Sequence, residues 1–246
     1  MKEDILHQIA IIENRIAGAC VAAGRDPKDV RLLLATKTVP PDRIRMALEA
    51  GRTLIAENKI QELKEKFTAL EDIPHENHFI GHLQTNKIRD LLKYNVSCLQ
   101  SLDRLDLAEK LHQRLQSENR TMGVLIQVNT SGEASKFGVE PALALDLVRS
   151  VAQLKTLRIK GLMTIGLLSP EPGKVQDCFR LLRNLRNSIR AQGIDGVDMN
   201  ELSMGMSGDL EMAIAEGATI VRVGTAIFGQ RPTPDSFYWN ENTTVK

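Results

Sequence analysis

The chain has 246 residues, 42% of them hydrophobic, with 32 Lys plus Arg against 31 Asp plus Glu and a formal net charge of +1 at pH 7. That length supports one large domain or two small ones, no run approaches the ~18 consecutive apolar residues of a membrane span, and the balanced charge leaves no excess to collect nucleic acid or an anionic membrane surface. Cys20, Cys98 and Cys178 are widely spaced within apolar patterns without a CxxC pair, and no signal peptide opens at Met1-Lys2-Glu3-Asp4, so a soluble protein with buried thiols in the reducing cytoplasm is expected.

Ile5, Ile9, Ile12, Ile16 and Ala19 recur at helical spacing and predict a first helix closed by Gly24. The apolar run from Val30 to Lys37 predicts the first strand, which Thr38-Val39-Pro40-Pro41 stops, opening a helix over 41–50 that ends at Gly51. Strand and helix then alternate: strand 53–57 with helix 58–70, strand 77–80 with helix 84–93, strand 95–100 with helix 103–118, and strand 122–129 with helix 141–153. Strand 157–163 with helix 173–192, strand 199–203 with helix 208–216, and strand 219–223 with a short closing segment complete the series. The links are short enough for right-handed crossovers to parallel neighbours, and the pattern predicts an α/β fold, a single (β/α)8 TIM barrel with an additional N-terminal helix. The barrel is assigned to 1–232 and a polar C-terminal tail to 233–246. An open doubly wound sheet accommodates the same alternation. Only closure makes strand 1 a neighbour of strand 8 and brings Lys37 to the Arg222-Val223-Gly224 segment.

Lys37 stands at the carboxyl end of strand 1, where desolvation favours a neutral amine able to attack an aldehyde. After strands 7 and 8, where barrels commonly bind phosphate, come Ser203-Met204-Gly205-Met206-Ser207-Gly208-Asp209 and Gly224-Thr225. Their glycines allow close backbone approach, helix starts offer N–H groups, and the Ser203, Ser207 and Thr225 hydroxyls can donate. The plainer reading is tight turns with Ser207 as a helix cap. Asp209 would repel a phosphate and is expected to turn toward the helix backbone or solvent. An amine facing a phosphate cradle suggests pyridoxal 5′-phosphate (PLP). Arg222, inside a strand, would then donate to the ring nitrogen and keep it unprotonated; the alternative is an ion pair with a carboxylate such as Glu201.

Leu34-Ala35-Thr36-Lys37-Thr38, Ala56-Glu57-Asn58-Lys59-Ile60-Gln61-Glu62, His78-Phe79-Ile80-Gly81-His82-Leu83-Gln84-Thr85-Asn86-Lys87, the 203–209 segment and Val221–Gly229 together resemble the pyridoxal phosphate homeostasis protein family, over about residues 5 to 232. The family's barrel is similar to the N-terminal domain of alanine racemase, and it binds its cofactor covalently without established turnover. The resemblance implies Lys37 as the Schiff-base lysine, Asn58 near the ring and Met204 packing beside the cofactor. It also implies Ser207, Gly224 and Thr225 at the phosphate and Arg222 at the ring nitrogen. Ala56 stands where the family usually has glycine and Thr36 where it commonly has serine; neither removes a ligand.

A racemase of this barrel type takes a second base from a tyrosine on an additional β-domain. Here eight βα units consume nearly the whole sequence, and of the two tyrosines Tyr94 precedes a strand while Tyr238 lies in the tail. The expectation is therefore a non-catalytic carrier, with no catalytic residue assigned. It would be a cytoplasmic monomer that buffers PLP, delivers it to apo-enzymes and so influences amino-acid and keto-acid balance. The alternatives are a PLP-dependent amino-acid racemase or decarboxylase, and a barrel enzyme acting on a phosphorylated metabolite. Alternation separates His75 from His78 and His82, so no metal is expected. Lys136, in the loop after strand 5, is a candidate second amine for the aldehyde, and Phe237-Tyr238-Trp239 either packs on the barrel or mediates contacts.

Overall fold

Eight parallel strands close on themselves, and the segment between successive strands returns over the outside of the sheet to start the parallel neighbour. The computed structural model describes residues 2–230 apart from Leu168. The expectations for 231–246, including the end of the barrel assignment, the polar tail, Tyr238 and Phe237-Tyr238-Trp239, lie outside the described residues.

In chain order the elements are α1 (Lys2–Ala22), β1 (Arg31–Ala35), α2 (Pro41–Glu49), β2 (Leu54–Glu57), α3 (Ile60–Leu70), β3 (Glu76–Phe79), α4 (Ile88–Lys93), β4 (Val96–Leu102) and α5 (Leu105–Ser117). There follow β5 (Met122–Gln127), α6 (Ala144–Ala152), β6 (Leu157–Met163), α7 (Pro172–Arg190), β7 (Val197–Ser203), α8 (Leu210–Ala215), β8 (Ile220–Val223) and α9 (Thr225–Phe228). The strands run β1 to β8 in sequence around a closed barrel, which excludes the open sheet. Closure is made by β1 against β8, with Leu33 opposite Arg222 and Leu34 opposite Val223.

β1 and α3 are shorter than the sequence pattern suggests, and among the trimmed residues Lys37, Asn58 and Lys59 line the site. β1 stops at Ala35, two residues before Lys37, because the chain turns at Thr38, whose φ is +64°. α3 starts at Ile60, since Lys59 keeps an extended backbone and leaves Asn58 in a loop.

The main core is annular. It packs the outward side chains of the strands against the helices, with Leu34, Ile55, Phe79, Leu99, Val124, Leu162 and Val223 among its members. Inside the barrel lie two small apolar clusters, Leu33-Leu54-Ala56-Ile220 and Cys98-Leu125-Met163, beside buried polar side chains. All three cysteines are free and buried.

α1 corrects one expectation. Its 21 residues are long and apolar enough, by length and composition, to cross a membrane, because beyond the first turn Glu13 and Arg15 are its only Asp, Glu, Lys or Arg residues. In the fold it buries Ile5, Ile9, Ile12, Ile16 and Cys20 and packs on α8, α9 and α2.

Candidate functional site

The carboxyl ends of the strands surround a cavity of about 650 Å³. Lys37, Asn58, Ser207, Arg222, Gly224 and Thr225 all line it, so closure assembles six of the seven expected site residues. Its charged lining is Lys37, Lys59, Lys87 and Arg222 against Glu62 and Glu65, an excess of positive charge that suits an anion. Ala35, Phe79, Ile80, Leu83, Met163 and Ile165 supply apolar wall, and the His82 ring stacks on Phe137 with centroids 3.9 Å apart.

The backbone carrying Lys37 is clamped from both sides by α3. Lys66 Nζ donates to the Thr36 carbonyl at 2.8 Å, and the Thr38 N–H donates to Glu62 Oε2 at 3.2 Å. Lys66 is itself paired with Glu57 at 2.8 Å and with Glu62 at 2.6 Å, while the Thr36 hydroxyl donates to Glu57 Oε1 at 2.6 Å. Sequence reading missed this network; the available signals were a carboxylate ending a buried strand and a Glu62/Lys66 pair one helical turn apart.

Burial pushes the Glu57 carboxyl up from 4.5 to about 7 against the opposing pull of Lys66. Between those two values the unfolded chain has released a proton that the folded protein keeps, so stability falls as pH rises through this window. The fall amounts to about 3 kcal/mol, at about 1.4 kcal/mol per pKa unit. Glu57→Gln removes the titration. Its unfolding free energy relative to the unmodified protein is expected to rise by that amount from pH 4.5 to 7 and to level off above. Urea unfolding of both proteins across the range checks this, and parallel pH profiles would refute it.

Two loops after β7 and β8 meet across the cavity, with Ser207 Oγ and Thr225 Oγ1 3.5 Å apart. From α1, Arg15 holds the first loop, donating to the Ser207 carbonyl at 3.0 Å and pairing with Glu211 at 2.7 Å. Gly205 has φ +91° and a Cβ there would sit 2.5 Å from Ala213 Cβ; at Gly224 a Cβ would lie 2.8 Å from the Ala35 carbonyl oxygen. Asp209 turns away from the cavity as expected, but toward its own loop, accepting from the Met206 N–H.

Arg222 is 5% exposed and donates from Nη1 to Ser203 Oγ at 2.9 Å and from Nη2 to the Thr164 carbonyl at 2.8 Å. Glu201 is not its partner; that carboxylate approaches Arg31 at 3.8 Å. Burial lowers the Arg222 pKa to about 10, opposed by Asp209, which still leaves a cation at neutral pH. Asn58 Oδ1 is buried without a hydrogen-bond partner, and the turn after β3 rests on the Asn58 backbone so closely that a Cβ on Gly81 would fall 1.9 Å from its carbonyl oxygen.

Three expectations are placed differently. Met204 is fully buried in the annular core and Met206 lines the cavity instead. The Ser203 hydroxyl, also fully buried, donates to Gln100 Oε1 at 2.6 Å and faces no phosphate seat. Lys136 Nζ is committed to the Gly166 carbonyl at 2.9 Å and to Glu133, and it is not part of the cavity wall. Tyr94 lies at the amino end of β4 with its ring 5.5 Å from Phe67. His75 bonds the Ile73 carbonyl and His78 pairs with Gln100, while His82 sits 3.7 Å from Asp103. Among the described residues no group of three or more His, Cys, Asp or Glu side chains is arranged to hold a metal ion.

Residues 37–232 match the family model for the alanine racemase N-terminal domain. The pyridoxal phosphate homeostasis protein of Aquifex aeolicus is 43% identical over 224 residues, covering 91% of this chain and 97% of that protein. Among solved structures, PipY of Synechococcus elongatus PCC7942 with PLP bound is 33% identical with a TM-score of 0.78, covering 89% of this chain and 100% of that one. An alanine racemase of Clostridium difficile, 13% identical over 95% of this chain and 58% of its own with a TM-score of 0.76, shares the barrel fold.

Proposed function

The chain belongs to the pyridoxal phosphate homeostasis protein family, and from that premise we propose that it binds PLP, buffers it and delivers it to apo-enzymes in the cytoplasm, acting as a monomer without substrate turnover. The observation that carries the reading is that one cavity joins the Lys37 amine, the Arg222 cation and the Ser207/Thr225 hydroxyl pair. The residues present fit the cofactor. Asn58 Oδ1 is an orphaned acceptor, the Gly224 position has no room for a side chain beside Ala35, and the wall pairs apolar surface with positive charge.

When bound, PLP supplies an aldehyde carbonyl to the amine. Lys37 would hold that carbon, with its backbone fixed by Lys66 and Glu62. Ser207 and Thr225 donate hydroxyl protons to phosphate oxygens, and the backbone at Gly224 lets the anion approach. Arg222 donates toward the ring nitrogen and, keeping its own proton, leaves that nitrogen unprotonated. Met206 takes the wall position expected of Met204. Residues to 232 serve as the binding domain and 233–246 as a polar tail.

The carrier reading is favoured over a racemase because no tyrosine among the described residues lines the cavity, and general acid–base catalysis needs a positioned proton acceptor opposite the lysine. Deuterium exchange at the α-carbon of amino acids tests it. The PLP-loaded protein is expected to show exchange no faster than free PLP, whereas rates of roughly 1–1,000 per second would establish an enzyme.

A further inference from the structure

We propose that Gln100 and His78 are positioning residues that orient Arg222 from inside the barrel, through a hydrogen-bond chain of fixed direction running toward the opposite mouth. Arg222 Nη1 lies 2.9 Å from Ser203 Oγ, which lies 2.6 Å from Gln100 Oε1. Gln100 Nε2 lies 2.8 Å from His78 Nδ1, and His78 Nε2 lies 3.6 Å from Glu76 Oε2, which Arg31 reaches at 2.7 Å. The four inner members, Arg222, Ser203, Gln100 and His78, are 0–5% exposed, so solvent does not substitute for a missing partner.

The direction follows from the guanidinium being a pure donor and from Gln100 Oε1 being the acceptor that the Ser203 hydroxyl reaches. A guanidinium only donates, so Ser203 Oγ accepts from Arg222 and has one hydroxyl proton left, which goes to Gln100 Oε1. That fixes the amide with its NH2 group toward His78, and Nδ1 must accept. His78 is therefore neutral, with its proton on Nε2 facing the Glu76 carboxylate. Flipping the amide would leave the Ser203 hydroxyl proton without the acceptor it has in Gln100 Oε1, in a dry interior. The Glu76 carboxylate, 3.6 Å from Nε2 and itself held by Arg31, favours that tautomer by its charge; Gln100 sets the Ser203 rotor, and Ser203 with the Thr164 carbonyl fixes the guanidinium plane.

The role of this orientation in cofactor retention rests on the PLP reading; the chain itself does not, so the first measurements use cofactor-free protein. With ¹⁵N-histidine labelling and His78→Gln for assignment, His78 is expected to show a bare Nδ1 and a protonated Nε2. A protonated Nδ1 would overturn the proposal. Gln100→Glu keeps the acceptor toward Ser203 but presents an acceptor to His78, so Nδ1 is expected to gain a proton; an unchanged Nδ1 would refute the coupling. Gln100→Leu cuts the chain, and the Arg222 Nη resonances are expected to show faster guanidinium rotation. If Gln100→Leu does not fold, the Gln100→Glu measurement decides. In loaded protein, Gln100→Leu is expected to retain PLP about ten-fold less well, as when a hydrogen bond to a charged group is weakened, and to shift the absorbance of the bound cofactor. Unchanged retention and spectrum would overturn the positioning role. Failure of the unmodified protein to take up PLP would overturn the function while leaving the histidine and guanidinium results to stand.

Discussion

Lys37→Ala is expected to fold as the unmodified protein does and to hold no PLP that borohydride can trap. The residue lies beyond the end of β1, in a turn whose backbone Lys66 and Glu62 hold at Thr36 and Thr38, so the fold is expected to survive its truncation. Peptide mapping of the reduced, unmodified protein is expected to place the adduct on Lys37. Lys59 and Lys87 line the same cavity and are the internal controls. A label confined to either of them would remove Lys37 from its assigned role.

The second large effect is expected from Ser207→Ala combined with Thr225→Val. The hydroxyls sit 3.5 Å apart on different loops, close enough to serve one anion and set by different elements, so neither truncation repairs the other. Each hydrogen bond to a charged group is worth roughly 1.5–3 kcal/mol, and losing both is expected to weaken PLP retention by roughly a hundred- to ten-thousand-fold. Capture of unphosphorylated pyridoxal is expected to be nearly unaffected. Equal losses for the two ligands, measured by equilibrium dialysis, would mean that these loops shape the barrel and seat no phosphate.

The barrel was legible because its signals are local: apolar runs, helical stripes and punctuating Gly and Pro recur unit by unit. Lys37 and the two glycine-rich segments were legible for the same reason, each closing a strand. What escaped depends on which way a side chain points. Met204 follows Ser203 in a chain that continues the sheet, with the Met204 N–H bonded to the Ile220 carbonyl, so the two alternate. Ser203 turns into the barrel and Met204 out to the helices, and neither reaches the cavity. The clamp on the Lys37 turn escaped because Glu57, Glu62 and Lys66 read as ordinary helix and strand charges until β1 and β2 are paired. Arg15 escaped for want of any local sign, its partner Glu211 lying 196 residues away. α1 was legible by its spacing, which marks the stripe the fold buries, and not by its total hydropathy, which is that of a membrane span.

Closure of the barrel by β1 against β8 also orders events during synthesis. The strand that precedes Lys37 is made before the other seven described strands, and the strand that completes its pairing follows them all. Until then one edge of β1 is an open template for pairing, of the kind that invites aggregation. Through the same interval the Lys37 amine exists without the phosphate seat proposed for it, because Gly224 and Thr225 follow β8. On the PLP reading, a chain truncated before β8 is therefore expected to fail to hold the cofactor as the closed barrel does.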